Sequence, residues 1–436
     1  MDENETYFDY ISQSQPPAQQ TGSEKGSGKG IFFAGLIAGL SGALLIMAIC
    51  YLGVKIQNVA ESRNAEQEEV TSFEEGSAID ASVVKKLQAL ENTINKYYYL
   101  EEAENDELQD GIYKGMLQAL GDPYSEYYSA EELNDLMEQT EGIYYGIGAY
   151  VSLDTVTGLP KISSTMVGSP AEAADLRAND LIYEVDGTST YGLTLTEAVS
   201  MIKGPEDTDV TLTIIREGEK EQLEFTITRK RVEAPTVNLT MMDETIAYIQ
   251  ITEFDEVSAD QFADALATAR GSGMQGMILD LRGNPGGSLN AVTEMARMIL
   301  PEGLIVYTED KSGKRSEYTC DGKRQLEVPL VVLVDSNSAS ASEIMAGAIK
   351  DYGIGTLVGT TTFGKGIVQQ IMPFRDGSAV KLTISAYYTP NGNNIHGIGI
   401  EPDVECEFDA EAYYGSEEHP DNQLEKAKEV LLEKMK

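Results

Sequence analysis

Val331-Val332-Leu333-Val334-Asp335-Ser336-Asn337-Ser338-Ala339-Ser340-Ala341-Ser342-Glu343 decides the fold. Its first four residues are branched and apolar, extending a run from Leu330, and read as a strand buried on both faces. Small residues follow and must turn the chain sharply. Ala341, Ile344, Met345 and Ala348 then fall at i, i+3, i+4 and i+7, which predicts a helix over Ser340–Lys350 with that face buried. Ser340 therefore sits at a helix N-terminus, where unsatisfied N–H groups and the positive dipole end favour a developing negative charge. A nucleophile needs this exposure. An ordinary Ser-rich N-cap fits the same string.

Outward from this stretch, strand and helix alternate. Ile246–Ile251, Gly276–Leu281 and Leu330–Asp335 read as strands, Ser258–Arg270 and Leu289–Leu300 as helices, and Asp421–Met435 as a closing amphipathic helix. The pattern is α/β, with loops delivered to one sheet edge. One such loop, Arg282-Gly283-Asn284-Pro285-Gly286-Gly287, can bring bare N–H groups close to a ligand, so Gly286 or Gly287 is a candidate oxyanion donor; a tight turn explains the string equally. A base is supplied by Thr362-Phe363-Gly364-Lys365-Gly366-Ile367-Val368-Gln369-Gln370. Lys365 acts as a base only when neutral, and an apolar neighbourhood favours that form by desolvation. Gln369, four residues on, can aim the amine. A solvated turn lysine is the plainer alternative. Gly359–Lys365 also fits the start of a phosphate-binding loop, but Gly366 replaces the magnesium-holding Ser or Thr, and Ile367–Phe374 with Pro373 is no helix, which argues against nucleotide. Histidine is scarce: only His396 and His419 occur.

The N-terminal third is different. Residues 1–30 are polar and read as a disordered tail. Ile31–Val54 runs 24 residues without a charge; as a helix it spans about 36 Å, enough for a hydrocarbon core of about 30 Å. A cleaved signal peptide is the alternative, with Ala60 as a possible processing point. Residues 55–80 are an acidic linker, and Ser82–Thr140 is predicted to be helical. Residues 142–231 are strand-rich, with Tyr144–Val151, Lys161–Met166, Leu181–Val185, Val210–Arg216 and Gln222–Thr228 as strands and one helix capped at Thr194. There Gly146-Ile147-Gly148-Ala149 can turn N–H groups inward to catch a terminal carboxylate, while a peptide adds as a strand beside the helix at 195–203. Lys+Arg number 32 and Asp+Glu 72, a net charge of −40, which disfavours nucleic acid as a partner. No Cys/His cluster suggests a structural zinc. Cys320 and Cys406 can pair if the compartment is oxidising.

Residues 82–435 resemble the C-terminal-processing, or tail-specific, serine peptidases. The strings that carry the resemblance are Gly121-Asp122-Pro123-Tyr124-Ser125, Asp280-Leu281-Arg282-Gly283-Asn284-Pro285-Gly286-Gly287, Ser338-Ala339-Ser340-Ala341-Ser342-Glu343 and Phe363-Gly364-Lys365-Gly366-Ile367-Val368-Gln369. Segment 143–231 looks like the PDZ domain of these enzymes. The resemblance implies an α+β multidomain chain: a transmembrane helix, a helical domain over 81–141, a PDZ domain over 142–231, and over 232–436 a peptidase core of crotonase/Clp-protease-like α/β fold. It also implies Ser340 as nucleophile, Lys365 as general base, Gln369 as its positioner, Ala341 with Gly286 or Gly287 as the oxyanion hole, and Asp351 in a supporting role. Asn337 departs from the family's usual glycine. The implied protein is a single-pass cell-membrane enzyme with its peptidase domain outside the cytoplasm. It acts on proteins with apolar C-termini, needs no cofactor or metal, and has a PDZ domain that gates activity. Residues 81–141 are expected to support a homodimer. A membrane-tethered peptide-binding scaffold with an inert peptidase domain is the rival reading.

Overall fold

The computed structural model describes residues 76–100 and 104–436. The chain divides into two compact units, Met1–Glu102 and Ala103–Lys436. In the first, the helix Ala81–Tyr97 starts at Asp80, whose carboxylate accepts the Ser82 and Val83 amides. Its apolar residues Val84, Leu90 and Ile94 are exposed. The candidate span Ile31–Val54 lies outside the described residues; among those described, no helix is long and apolar enough to cross a membrane.

The second unit is built on a six-stranded sheet in the order Val237–Met242, Ile246–Ile251, Gly276–Asp280, Leu330–Val334, Gly355–Gly359, Val404–Glu405. The first pair is antiparallel and the rest are parallel. Every residue of Gly276–Asp280 and Leu330–Val334 is buried, which is why these strands read as unbroken apolar runs. Their residues alternate between two cores. Met277, Leu279, Val332 and Val334 pack with the helices Ser258–Gly271, Leu289–Ala296 and Ala341–Tyr352. Ile278, Val331 and Leu333 pack against Ala427 and Leu431 of the closing helix Asn422–Lys434. The Leu289 helix stops at Ala296, short of the expected Leu300, where the Met298 and Ile299 amides bond three residues back and tighten the chain out of α geometry.

A second sheet runs Glu126–Tyr128, Ala379–Tyr388, Gly303–Asp310, Arg315–Cys320, with Ile367–Pro373 also on Ala379–Tyr388. Its first strand corrects the expectation of a helical stretch over Ser82–Thr140. Glu126–Tyr128 lies between the helices Asn105–Gln118 and Ala130–Glu141 and pairs with residues some 250 positions away, Tyr127 opposite Val380. Cys320 and Cys406 are both free thiols: Cys320 ends Arg315–Cys320 in one sheet, and Cys406 follows Val404–Glu405 in another.

In the strand-rich segment the expected strand Tyr144–Val151 is two. Gly148 adopts φ +73° and breaks it. Ile143–Gly146 pairs with Lys230–Glu233, so the entering and leaving chains are zipped together. Ala149–Leu153 becomes the edge of a sheet ordered Ala149–Leu153, Pro160–Thr165, Leu181–Val185, Asp209–Ile215, Leu223–Thr228. The helix Leu195–Ile202 is capped by Thr194 and Glu197 in a reciprocal box.

A buried cation closes that helix. Arg229 is 7% exposed and donates to the Ile202, Met201 and Asp209 carbonyls at 2.8, 3.0 and 3.0 Å. It satisfies helix-end acceptors that would otherwise be orphaned and lies at the negative dipole end. Arg229→Met strips these donors from one buried and two part-buried carbonyls and should lower stability by about 2 kcal/mol, seen as a lower midpoint in urea unfolding followed by circular dichroism.

Candidate active site

Ser340 ends the turn after Leu330–Val334 and starts the helix Ala341–Tyr352. It is not an ordinary cap. Ser129, Ser169, Thr194 and Ser288 cap helices with φ between −61° and −77° and accept an amide through their side chains. Ser340 has φ +54° and ψ −110°, and it heads a capping box with Glu343 from that positive-φ conformation. A non-glycine residue held there carries strain that the surroundings must impose.

The surroundings are visible. Glu343 is fully buried, and its carboxylate accepts the Ser340 amide at 2.9 Å and the Lys365 amide at 2.8 Å on one oxygen. The other oxygen accepts the Gly364 amide at 2.7 Å and the Thr362 hydroxyl at 2.6 Å. Four donors fill the acceptor capacity of a carboxylate. One acid thus joins the serine turn to the lysine loop. Tyr387, 1% exposed, adds a bond from its hydroxyl to the Ser340 carbonyl at 3.0 Å.

The glycine loop packs on the same turn. A Cβ on Gly286 would lie 2.8 Å from Ser340 Cβ, so only glycine fits. Buried Asn284 holds the loop down: Oδ1 accepts the Gly286 amide at 2.8 Å, Nδ2 donates to the Ile251 carbonyl at 2.9 Å, and its backbone carbonyl accepts the Ala339 amide and the Ser342 hydroxyl. Of the two candidate oxyanion donors, Gly286 is thereby committed to Asn284. The Gly287 and Ala341 amides find no acceptor among the described residues. Arg282 braces the loop from below through Asp280 and Asp421.

Ser340, Ala341, Gly287, Lys365 and Gln369 line one cleft of about 380 Å³. Lys365 is half-buried, and its Nζ lies 4.5 Å from the Tyr124 ring centroid. Among the described residues the amine has no hydrogen-bond acceptor or ion-pair partner, Ser340 Oγ included. Burial, then the charge of Lys381, holds its pKa below the ordinary lysine value, against the opposing pull of Asp122 and Glu343. Lys381 itself bonds Glu126 and Tyr128 at 2.9 and 2.5 Å. Gln369 Nε2 donates to Thr383 Oγ1 at 3.2 Å rather than to the lysine. Asp351 lies outside the cleft, where its carboxylate accepts the Asn391 amide at 2.8 Å. Neither histidine lines the cleft. The loop at Gly359–Lys365 leads into the strand Ile367–Pro373, not a helix. Among the described residues no group of three His, Cys, Asp or Glu is placed to hold a metal.

A second cavity of about 440 Å³ is lined by Gly146, Ile147, Gly148 and Ala149 on one side and Val199 and Ile202 on the other. The Ile147 and Gly148 amides have no acceptor among the described residues. Edge strand, helix and free amides together make a groove suited to an extended peptide end.

Residues 245–406 match the model of peptidase family S41, residues 161–216 that of a PDZ domain, and residues 43–132 that of the activating protease CtpB N-terminal domain. The carboxy-terminal processing protease CtpA of Bacillus subtilis is 38% identical over 330 residues, 76% of this chain and 70% of that one. The carboxyl-terminal-processing protease of Synechocystis sp. is 38% identical over 292 residues, 66% of this chain and 68% of that one. The chain belongs to the carboxyl-terminal-processing serine peptidases of family S41. A solved photosystem II D1 C-terminal processing protease shares 30% identity over 73% of this chain and 86% of its own, with a TM-score of 0.44.

Sequence reasoning quoted Glu343 without giving it a role. Its spacing from Ser340, three residues within a helix start, is a capping-box signal and was the available clue. Glu343→Gln puts an amide NH₂ among four donors. It should lower kcat for this S41 peptidase by about a hundredfold, the cost of a small misplacement, with little change in KM in steady-state peptide assays.

Proposed function

We propose that this chain is a membrane-anchored endopeptidase, working outside the cytoplasm, that cleaves proteins near apolar C-termini by a Ser340–Lys365 mechanism. The observation that carries it is a Lys365 amine with no partner among the described residues and a Ser340 hydroxyl on a strained turn, both lining one cleft, with the backbone amides of the two residues held by one buried carboxylate. In the proposed mechanism the flexible lysine chain rotates away from Tyr124 to bring Nζ to Oγ. Neutral Lys365 then takes the Ser340 proton as Oγ attacks the peptide carbonyl. The Ala341 and Gly287 amides receive the oxyanion. The C–N bond breaks, Lys365 returns the proton to the leaving amine, and an ester remains on Ser340. Water, deprotonated by Lys365, hydrolyses it. Gln369 steers the amine, and Asp351 supports the helix end from outside the cleft.

The PDZ groove captures the substrate C-terminus and gates the cleft. Cleft and groove share Glu253 and Asp255 as wall residues, which supports direct passage of a peptide between them. Ile31–Val54 supplies the membrane anchor, and residues 81–141 a homodimer contact.

Ser340→Ala and Lys365→Ala should each lower kcat/KM on a peptide with an apolar C-terminus by at least about three orders of magnitude. Retention of activity in either purified variant sinks the mechanism.

Catalysis requires the uncharged amine, so kcat/KM should rise with pH and level off below the ordinary lysine pKa of about 10.4. Lys381→Met removes a neighbouring positive charge. The sign is then fixed: Lys365 keeps its proton more tightly, and the rising limb moves to higher pH. His396→Ala should leave the limb in place. A pH–rate profile of the three proteins checks this.

A further inference from the structure

Between the PDZ groove and the cleft stands a buried acid that the mechanism leaves unused. Phe254 bridges to Gly287 in parallel pairing and is fully buried in the core. Alternation at that bridge turns its neighbours, Glu253 and Asp255, to the opposite side, where both line the groove and the cleft. Asp255 is only 4% exposed, yet among the described residues no hydrogen-bond donor or cation is paired with its carboxylate. Glycine at position 142 makes room for it: a Cβ there would lie 2.8 Å from Asp255 Oδ2. Its oxygens open onto the cavity rather than being enclosed, and among the described residues its neighbours supply no counter-charge.

The groups facing Asp255 deepen the deficit. Glu253 stands at the mouth, and Glu256, whose carboxylate accepts the Ser288 hydroxyl at 2.6 Å, lies beside it. Tyr144 lines the groove wall. Lys203, the cation of that wall, is bonded to Glu138 at 2.6 Å and stacks 5.3 Å over the Tyr144 ring. Burial and the charges of Glu253 and Glu256 push the Asp255 carboxyl up to about 7.

We propose that Asp255, with Glu253 at its mouth, is a subsite for a positively charged substrate side chain, lysine or arginine. That side chain would sit in the stretch of peptide that runs from the groove-bound C-terminus to the bond presented to Ser340. The inference rests on the peptidase reading of the cleft. A cation entering there meets the partner-free carboxylate, and a charge-assisted bond replaces its lost hydration.

Two peptides differing only in lysine or norleucine at successive positions between the apolar C-terminus and the scissile bond test it. Binding to the full chain carrying Ser340→Ala is read by fluorescence anisotropy, and hydrolysis by the full chain is read as kcat/KM. At one position lysine should bind about tenfold tighter than norleucine at pH 8, the scale of one charge-assisted bond. The ratio should fall toward one at pH 6, where Asp255 carries a proton. Asp255→Asn and, independently, Glu253→Gln should each reduce the ratio. Equal binding of lysine and norleucine peptides at every position at pH 8 overturns the subsite, whatever the variants do. A ratio unchanged in a folded Asp255→Asn chain overturns it too. A binding preference without hydrolysis of either peptide upholds the subsite and defeats the peptidase reading alone.

Discussion

The candidate active site depends on one buried anion. Without the Glu343 carboxylate, the Ser340 and Lys365 amides, the Gly364 amide and the Thr362 hydroxyl would be donors with no acceptor in a dry interior. With it, two loops separated by some twenty residues share one centre. The strain at Ser340 is tolerable for the same reason. A residue at φ +54° relaxes unless its neighbours over-determine it, and here its N–H, its carbonyl and the glycine loop against its Cβ are all fixed.

The same logic runs outward. Asn284 binds the glycine loop to both the Ile251 strand end and the serine turn. The Asp122 turn is tied through Ser125 to Thr383, whose hydroxyl also accepts the Gln369 amide, and it places the Tyr124 ring beneath the lysine. Each of these strings lies in a different part of the chain, and each ends at the cleft. The parallel sheet makes this possible by delivering successive strand ends to one edge.

Much of this was legible in the sequence, because local rules produced it. Leu330–Val334 announces a buried strand, the small-residue turn announces Ser340, and the paired glycines announce a lysine held in a fixed loop. What was not legible depended on distant partners. Nothing in Glu126-Tyr127-Tyr128 distinguishes a short strand from a helix junction until Ala379–Tyr388 lies alongside it. Which of Gly286 and Gly287 presents its amide is decided by the Asn284 side chain. Glu343 has no legible role until the folded chain brings it Gly364 and Lys365. The break at Gly148 was signalled by its glycine, but an alternating apolar run on both sides hid it.

Charge selection sharpens the reading of Lys365. Acidic residues outnumber basic ones 72 to 32, so an ion pair is the easiest fate for any lysine of this chain. Lys114, Lys203, Lys230 and Lys381 all meet that fate. A carboxylate bonded to Nζ of Lys365 would hold the proton and abolish basicity. The nearest acids are spent elsewhere: Glu343 on four donors, Asp122 on the Tyr124 amide and the Ser125 hydroxyl. Lys381 brings a second positive charge into the cleft, while Glu126, its acid partner, is not among the residues that line it. The cleft therefore disfavours a proton on Lys365 within a chain whose net charge of −40 generally favours one, and that contrast is the property the proposed base requires.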